Sequence, residues 1–315
     1  QKEFELSVSD NQANAFITAY SEQVANISLL PAEATHGRLA KVSNLGGAEA
    51  VFWSKFVADD GVKGKGIWEE TVNPTVSTGM DATTLPHELF NSAANTFVFR
   101  QPKDSAGNLA WKDRAVGDDI TNSHPSFVTK KIQQAFYHNN RLGFLTQDNV
   151  VMSKSDDFFN FYFTSALTST DDDPIDINCS SVRPAVLHAV TPTAQGLILF
   201  SKNQQFIMFS DAEILTPSSA VIRGISNYEM DSTVTPVEVG TTINFVSKTP
   251  SYTRIFGMQT RGSEESPIIV DIGKIVSEWV PDTITSLTSS PQNSLIAMYG
   301  TLDNTMYLYK TYVIG

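Results

Sequence analysis

Carboxylates are the residues of this chain best placed to do chemistry. Asp171, Asp172 and Asp173 stand in a row ahead of Pro174, and Asp176 follows in the run DDDPID. Clustered Asp side chains are the ligands a calcium ion takes. The spacing is not that of a helix–loop–helix calcium loop, and side chains on consecutive residues point in different directions. Asp before Pro is also turn chemistry. The run is therefore read as a turn, with a metal at Asp171–Asp173 left as the open alternative.

Other chemistries find less support. His36, His87, His124, His138 and His188 lie far apart, with no His-x-x-x-His pair to start a zinc site. The lone Cys179 cannot form an internal disulfide and has no recognisable histidine partner, so it reads as a small buried apolar residue. There is no Gly-x-Ser-x-Gly elbow. The glycine-rich run Asp59 to Gly66 lacks the glycine spacing and the following helix of a phosphate loop, and reads as a hairpin turn. SDDFFNFY, Ser155 to Tyr162, lacks the Gly and Thr of the sialidase Asp-box turn. No catalytic residue, cofactor-binding residue or metal ligand is assigned.

Charge narrows the partners. The 315 residues carry 22 Lys and Arg against 34 Asp and Glu, a net charge of −12. No basic run exceeds Lys130-Lys131. Such a chain has no electrostatic footprint for gripping phosphates. An acidic wall instead lets a polyanion pass without sticking. Apolar runs such as Leu197 to Phe200 are far shorter than the ~20 residues of a membrane-spanning helix. The chain opens at Gln1 and closes within YLYKTYVIG, so it is expected to be a segment of a longer protein.

Those residues must be positioned by strands for the most part. In the first part, FELSV (Phe4 to Val8) alternates as a strand. Phe16, Tyr20, Val24 and Ile27 recur at helical spacing, which predicts a helix near 11–30 ended by Pro31. RLAKVSN, AVFWSKFVA and GIWEETV follow as three strand-like runs, and TLPHELF and NTFVFRQ as one or two more. The polar loop RAVGDDITNSHPSF then marks a boundary. Residues 1–115 are expected to form a small α+β domain, and residues 116–315 a partial β-propeller.

The second part repeats. RLGFLTQDNVVMSKS, GLILFSKNQQFIMFS, TTINFVSKTPSYTRIFGM and SLIAMYGTLDNTMYLYK are each a strand, a polar turn and a strand. Their turns fall near 147, 203, 249 and 303. AVLHAVTP, AVIRGIS, PVEVG and IIVDI supply further strands between them. A hairpin returning at intervals of about 50 residues with added strands is the signature of a propeller blade. A lone four-stranded sheet cannot bury both faces, whereas a sheet stacked between copies of itself can. Phe158, Phe159, Phe161 and Tyr162 are expected to cap the first hairpin, aromatics being large enough to fill a wedge between twisted sheets.

The order of several motifs resembles one family. VGDD, PSF, FYHNNRLGFL, NVVMSKSDDFFNFY and DDDPID follow one another between Trp111 and Asp176, with WSKFVADDGVKGKGIWEETV and DATTLPHEL upstream. The chain is similar here to the nozzle proteins, or tail tubular proteins B, of short-tailed bacteriophages (podoviruses). The likeness is dense over about residues 50–260. It implies a mainly β fold, a propeller-like array of antiparallel sheets with a smaller α+β domain on the N-terminal side. It implies a virion structural protein, not an enzyme. It also implies a homohexameric ring that continues the DNA-ejection channel of the tail tube, docks the tail adaptor and fibre proteins, and passes DNA without binding it specifically. No cofactor is implied. The alternative is a host-surface glycan-binding or depolymerase propeller, which calls for a concave pocket with exposed aromatics and paired carboxylates.

Overall fold

The computed structural model describes residues 23–43, 51–181, 184–250, 252–261, 266–280, 283–300 and 305–310. The strand expected at Phe4–Val8 and the start of the expected helix lie outside these residues. Contacts group the chain into two units, one of residues 1–124 with 162–170, the other of residues 125–161 with 171–315. Among the described residues no helix is long and apolar enough to cross a membrane.

The first unit is built on a sheet of five strands: β1 (Gln23–Val24), β2 (Glu33–Thr35), β3 (Leu39–Ser43), β4 (Val51–Ala58) and β5 (Lys63–Thr71). Their order is β1-β3-β4-β5-β2. In β4 the alternation of the sequence becomes alternation of burial, with Phe52, Ser54, Phe56 and Ala58 inside. Val24, Leu30, Ala40, Val42 and Phe52 form the core, with Trp68 packed against it. The turn between β4 and β5 is closed by the Asp60 carboxylate, which accepts from the Val62 and Lys63 amides at 2.8 Å each. Gly61 supplies the left-handed residue that this turn needs, with φ 73°.

Residues 23–30 differ from the expected end of a helix. Val24 lies in β1, paired parallel to β3 through Val24↔Val42. A single 3-10 turn, Ile27–Leu29, follows. Asn26 is the cause: it sits extended at φ −150° and ψ 147°, and its side chain accepts from Ser28 N. That local bond competes with helix formation, and burial of Val24 and Leu30 on the sheet favours the extended path.

Two further strands, β6 (Glu88–Ala93) and β7 (Thr96–Arg100), form a separate two-stranded hairpin.

The second unit consists of four sheets in chain order. The first holds β8 (Ile132–His138), β9 (Arg141–Thr146), β10 (Asn149–Met152) and β11 (Ile175–Asn178). The second holds β12 (Leu187–Thr193), β13 (Gly196–Ser201), β14 (Gln205–Ser210) and β15 (Ala220–Ser226). The third holds β16 (Val237–Val239), β17 (Thr242–Lys248), β18 (Thr253–Gln259) and β19 (Ile268–Asp271), and the fourth β20 (Ile284–Ser290), β21 (Leu295–Gly300) and β22 (Met306–Lys310). Each strand pairs antiparallel with the next in its sheet. The four repeated segments are the hairpins β9–β10, β13–β14, β17–β18 and β21–β22, the middle pair of the first three sheets and the last two strands described of the fourth. AVLHAVTP, AVIRGIS, PVEVG and IIVDI supply β12, β15, β16 and β19. The fold is mainly β and propeller-like, as the repeat predicts.

Period-two patterning explains the stacking. Leu197 and Leu199 of β13 join Leu145, Val150 and Met152 of the first sheet in one core. Their neighbours Ile198 and Phe200 point the other way, into a second core with Phe245, Phe256 and Met258 of the third sheet. Val246 and Ile255 then turn from the third sheet to Ile284, Ile296 and Met298 of the fourth. An interior sheet is thus apolar on both faces, which is why β13 reads as an unbroken apolar run instead of alternating. Burying each such side chain contributes about 1.5–3 kcal/mol.

The aromatic run does not enter the space between the first two sheets, which Leu145, Val150, Met152 and Leu199 fill together with Phe136 and Phe206. Phe161 instead covers the opposite face of the first sheet, its ring 5.5 Å from Phe144 and 5.0 Å from Phe127. Tyr162 belongs to the first unit, and Phe158 is partly exposed against Tyr137. Phe161 and Phe127 thus cover the first face of the array, the position at which a stack of repeats needs a cap.

Candidate assembly surfaces and their anchors

The Asp171–Asp173 run is organised around an arginine. Arg141 opens β9 and is only 2% exposed. One guanidinium nitrogen donates to the carbonyls of Ser153 at 2.8 Å, Asp172 at 3.2 Å and Asp173 at 2.6 Å. The other donates to the Asp171 carbonyl at 2.8 Å. The three aspartates therefore present their backbone oxygens to a built-in cation. The Asp172 carboxylate turns outward to Lys154, 2.9 Å away. Burial pulls the Arg141 guanidinium below its ordinary value, opposed by the charges of Asp172, Asp173 and Asp156. Among the described residues no group of three or more His, Cys, Asp or Glu is arranged to hold a metal ion.

A second buried arginine anchors the VGDD loop. Arg114, also 2% exposed, donates to the carbonyls of Asn122 and Ser77 and to the Asp119 carboxylate at 2.9 Å. Asn122 spans the loop, donating to Val116 O and exchanging bonds with the Phe163 backbone. Burial raises the Asp118 carboxyl, but the amides of Thr121 and Ile120 outweigh it and hold it below the usual range. His124 lies 2.7 Å from the Tyr162 hydroxyl. Burial pushes Tyr162 up to about 12 and lowers His124. Cys179 is likewise pushed up to about 12 by burial and by Asp148, which keeps it a thiol.

Polar clamps join the sheets of the second unit. The Gln134 amide of β8 accepts from Val190 N at 2.9 Å, so a side chain stands in for a strand between β8 and β12. Ser289 of β20 donates to the Glu238 carbonyl of β16 at 2.7 Å. Gly143, opposite Phe136 in the β8–β9 pair, leaves room for the Phe136 ring, which a Cβ there would run into.

The surface features are apolar. Leu89, Phe97 and Phe99 of the β6–β7 hairpin are 68%, 60% and 71% exposed. Ile275 and Trp279, in the 3-10 segment Lys274–Trp279, are exposed as well. So are Tyr299, Met306 and Leu308, which share the outer face of the fourth sheet. Clefts among the described residues include one of ≈620 Å³ lined by His36, Arg38 and Trp53, one of ≈460 Å³ lined by Lys202, Glu229, Asp231 and Lys248, and one of ≈210 Å³ at His138 and Glu213. The cleft with two acids lacks an aromatic wall, and the cleft with a tryptophan lacks acids.

Sequence reasoning found the loops but not their anchors, because Arg141 meets Asp171 thirty residues away. Its only signal was a lone basic residue at the head of an apolar strand. The exposed hairpin was legible as strands, not as a surface.

Residues 1–315 match the model of a family described as bacteriophage nozzle protein. The tail tubular protein gp12 of Escherichia phage T7 is 27% identical over 309 residues, which cover 97% of this chain and 37% of that protein. The chain thus spans little more than a third of the length of this relative. Among solved structures, the β-propeller domain of Myceliophteria thermophila Cps50 (Swd1) gives a TM-score of 0.40 at 11% identity, covering 60% of this chain and 58% of that one. The extracellular domain of the putative hybrid two-component system BT4673 of B. thetaiotaomicron gives 0.38 at 12% identity, covering 90% and 39%. The fold assignment rests on the four sheets and not on these two scores.

Proposed function

The chain belongs to the bacteriophage nozzle protein family, and on that premise we propose that it is a structural segment of a phage tail tube. In this reading copies of the full-length protein form a ring in the virion tail, six by the family resemblance. The ring continues the DNA-ejection channel and docks the tail adaptor and the fibres. The end-to-end family match carries the reading.

The physical features suit the role. A stack of sheets buried on both faces is a rigid part, and its buried polar groups serve as anchors. Arg141 and Arg114 are spent on loop carbonyls, and the Cys179 thiol is protonated at neutral pH. The net charge of −12 keeps passing DNA from sticking. Charges within about 8 Å of the DNA still act on it at physiological salt. The protein thus works as architecture and not as a catalyst.

Electron microscopy of the full-length protein, alone and with its tail adaptor, tests this. Rings with a central opening are expected. A protein that stays monomeric in both conditions would overturn the proposal.

A further inference from the structure

We infer that the cleft at Trp53, on the open face of the five-stranded sheet, is a binding site for an anionic sugar unit, a uronate or a sugar phosphate; this goes beyond the ring reading above and holds for a single copy. Alternation sends Phe52, Ser54 and Phe56 of β4 into the core and leaves Trp53 on the other face. The two tryptophans of this sheet are used differently. Trp68 packs against the core, and its indole N–H donates to the Pro31 carbonyl at 2.8 Å. Trp53 is half-buried and lines the cleft. Its indole N–H has no hydrogen-bond partner among the described residues. The fold thus employs one indole and presents the other.

The groups around the ring select an anion. The ≈620 Å³ cleft has the size of a small-ligand site and no acid among its lining residues. His36 Nδ1 accepts from Ala58 N at 3.3 Å, which leaves Nε2–H as the donor of the neutral ring. Arg38 lines the same cleft and is exposed. Lys41 stands between Gln23 and Trp53 on the neighbouring strands and has no ion-pair partner among the described residues. Lys55, next along β4, has Glu69 opposite it. On a molecule at −12, cations without acids around a cleft attract a negative ligand. The indole narrows the class. A flat apolar ring stacks on the C–H face of a sugar, while the guanidinium takes its carboxylate or phosphate and the imidazole and Thr35 take hydroxyls. Inorganic phosphate or an acidic side chain would leave the ring uncovered. Single-stranded nucleic acid is held by a groove with successive aromatic platforms, and this cleft has one indole. With no carboxylate in its lining it can bind a saccharide but has no acid and base to hydrolyse it.

Isothermal titration calorimetry of the full-length protein tests this. The probes are a galacturonate tetrasaccharide, glucose 1-phosphate, the tetrasaccharide with its carboxylates reduced to alcohols, and a thymidine octanucleotide. At least one acidic sugar should bind, and the acidic tetrasaccharide about tenfold more tightly than its reduced form at low salt. Trp53→Ala should weaken the acidic sugar about tenfold. Arg38→Gln/Lys41→Gln should abolish the preference for the acidic form. Both cations lie off the core, so the double variant decides even where Trp53→Ala fails to fold. No binding of either acidic sugar at millimolar concentration, equal binding of the acidic and reduced tetrasaccharides, or binding unchanged in the variants overturns the inference. An octanucleotide that binds more tightly than the sugars and is lost in Arg38→Gln/Lys41→Gln overturns it in favour of single-stranded nucleic acid. Ring formation is read by microscopy and not by these titrations, so either reading can fail without the other.

Discussion

At the scale of single residues, the chain places its strongest charges where backbone oxygens need them. Arg141 brings four carbonyls together, from Ser153, Asp171, Asp172 and Asp173. Removing a buried charge from such a set leaves its partners unpaired. Arg141→Met is expected to cost about 3–5 kcal/mol in denaturant unfolding. Lysine is no substitute, because a compact ammonium cannot reproduce the planar fork. The aspartate side chains themselves should matter little. Asp171→Asn keeps its carbonyl and should stay within about 0.5 kcal/mol, and Asp172→Asn loses only a half-exposed ion pair worth about 0–1 kcal/mol. Calorimetry with calcium present and absent separates the turn from the metal alternative. If calcium stabilised the parent and the two Asn variants abolished that gain, the loop would be a metal site after all. The sequence could not disclose this arrangement, since three adjacent acids look the same whether they offer carboxylates or carbonyls.

At the scale of elements, legibility followed locality. The four repeated hairpins were readable because a strand, a polar turn and a strand are consecutive and their spacing recurs. What is not local was missed. Val24 and Ile27 have helical spacing, but the sheet beside them and the Asn26 bond decide the outcome. The aromatic run was legible as a cap on the first hairpin, and Phe161 does pack on Phe144 of β9, but nothing in the run says which face of the sheet it meets. The sharing of cores between successive sheets leads to an experiment. Phe200 belongs to the core shared with the third sheet, and its neighbour Leu199 to the core shared with the first. Phe200→Ala should cost about 3–5 kcal/mol and Leu199→Ala about 2–5 kcal/mol. Nearest-neighbour coupling further predicts different footprints. Hydrogen exchange should quicken in β17–β18 for Phe200→Ala, and in β9–β10 for Leu199→Ala. Identical footprints would show that the sheets melt as one block.

At the scale of the whole molecule, two electrostatic effects oppose each other as pH falls, and their balance can be measured. The global effect is self-repulsion at −12, which eases as the pH approaches the sequence pI of about 4.8 and so favours folding. The local effect comes from histidines. Burial lowers His124, His138 and His188 below their ordinary value of 6.5 in the folded state. Between the lowered value and 6.5 the unfolded chain binds more protons than the folded one. Stability therefore rises with pH through that window and is lost as pH falls through it. The lowered carboxylates, Asp118 among them, act in the same direction but only in the range at and below 3.8. Salt separates the two effects, because it screens long-range repulsion far more than buried contacts. At physiological salt the local effect should win, so the melting temperature of the full-length protein should fall as pH goes from about 7.5 to about 5.5. At low salt the relief of repulsion should flatten that fall. The His124→Asn/His138→Asn/His188→Asn variant, which cannot take up these protons, should show a shallower pH dependence at both ionic strengths. A melting temperature that rises on acidification at physiological salt would place the acid excess, and not the half-buried imidazoles, in control of stability.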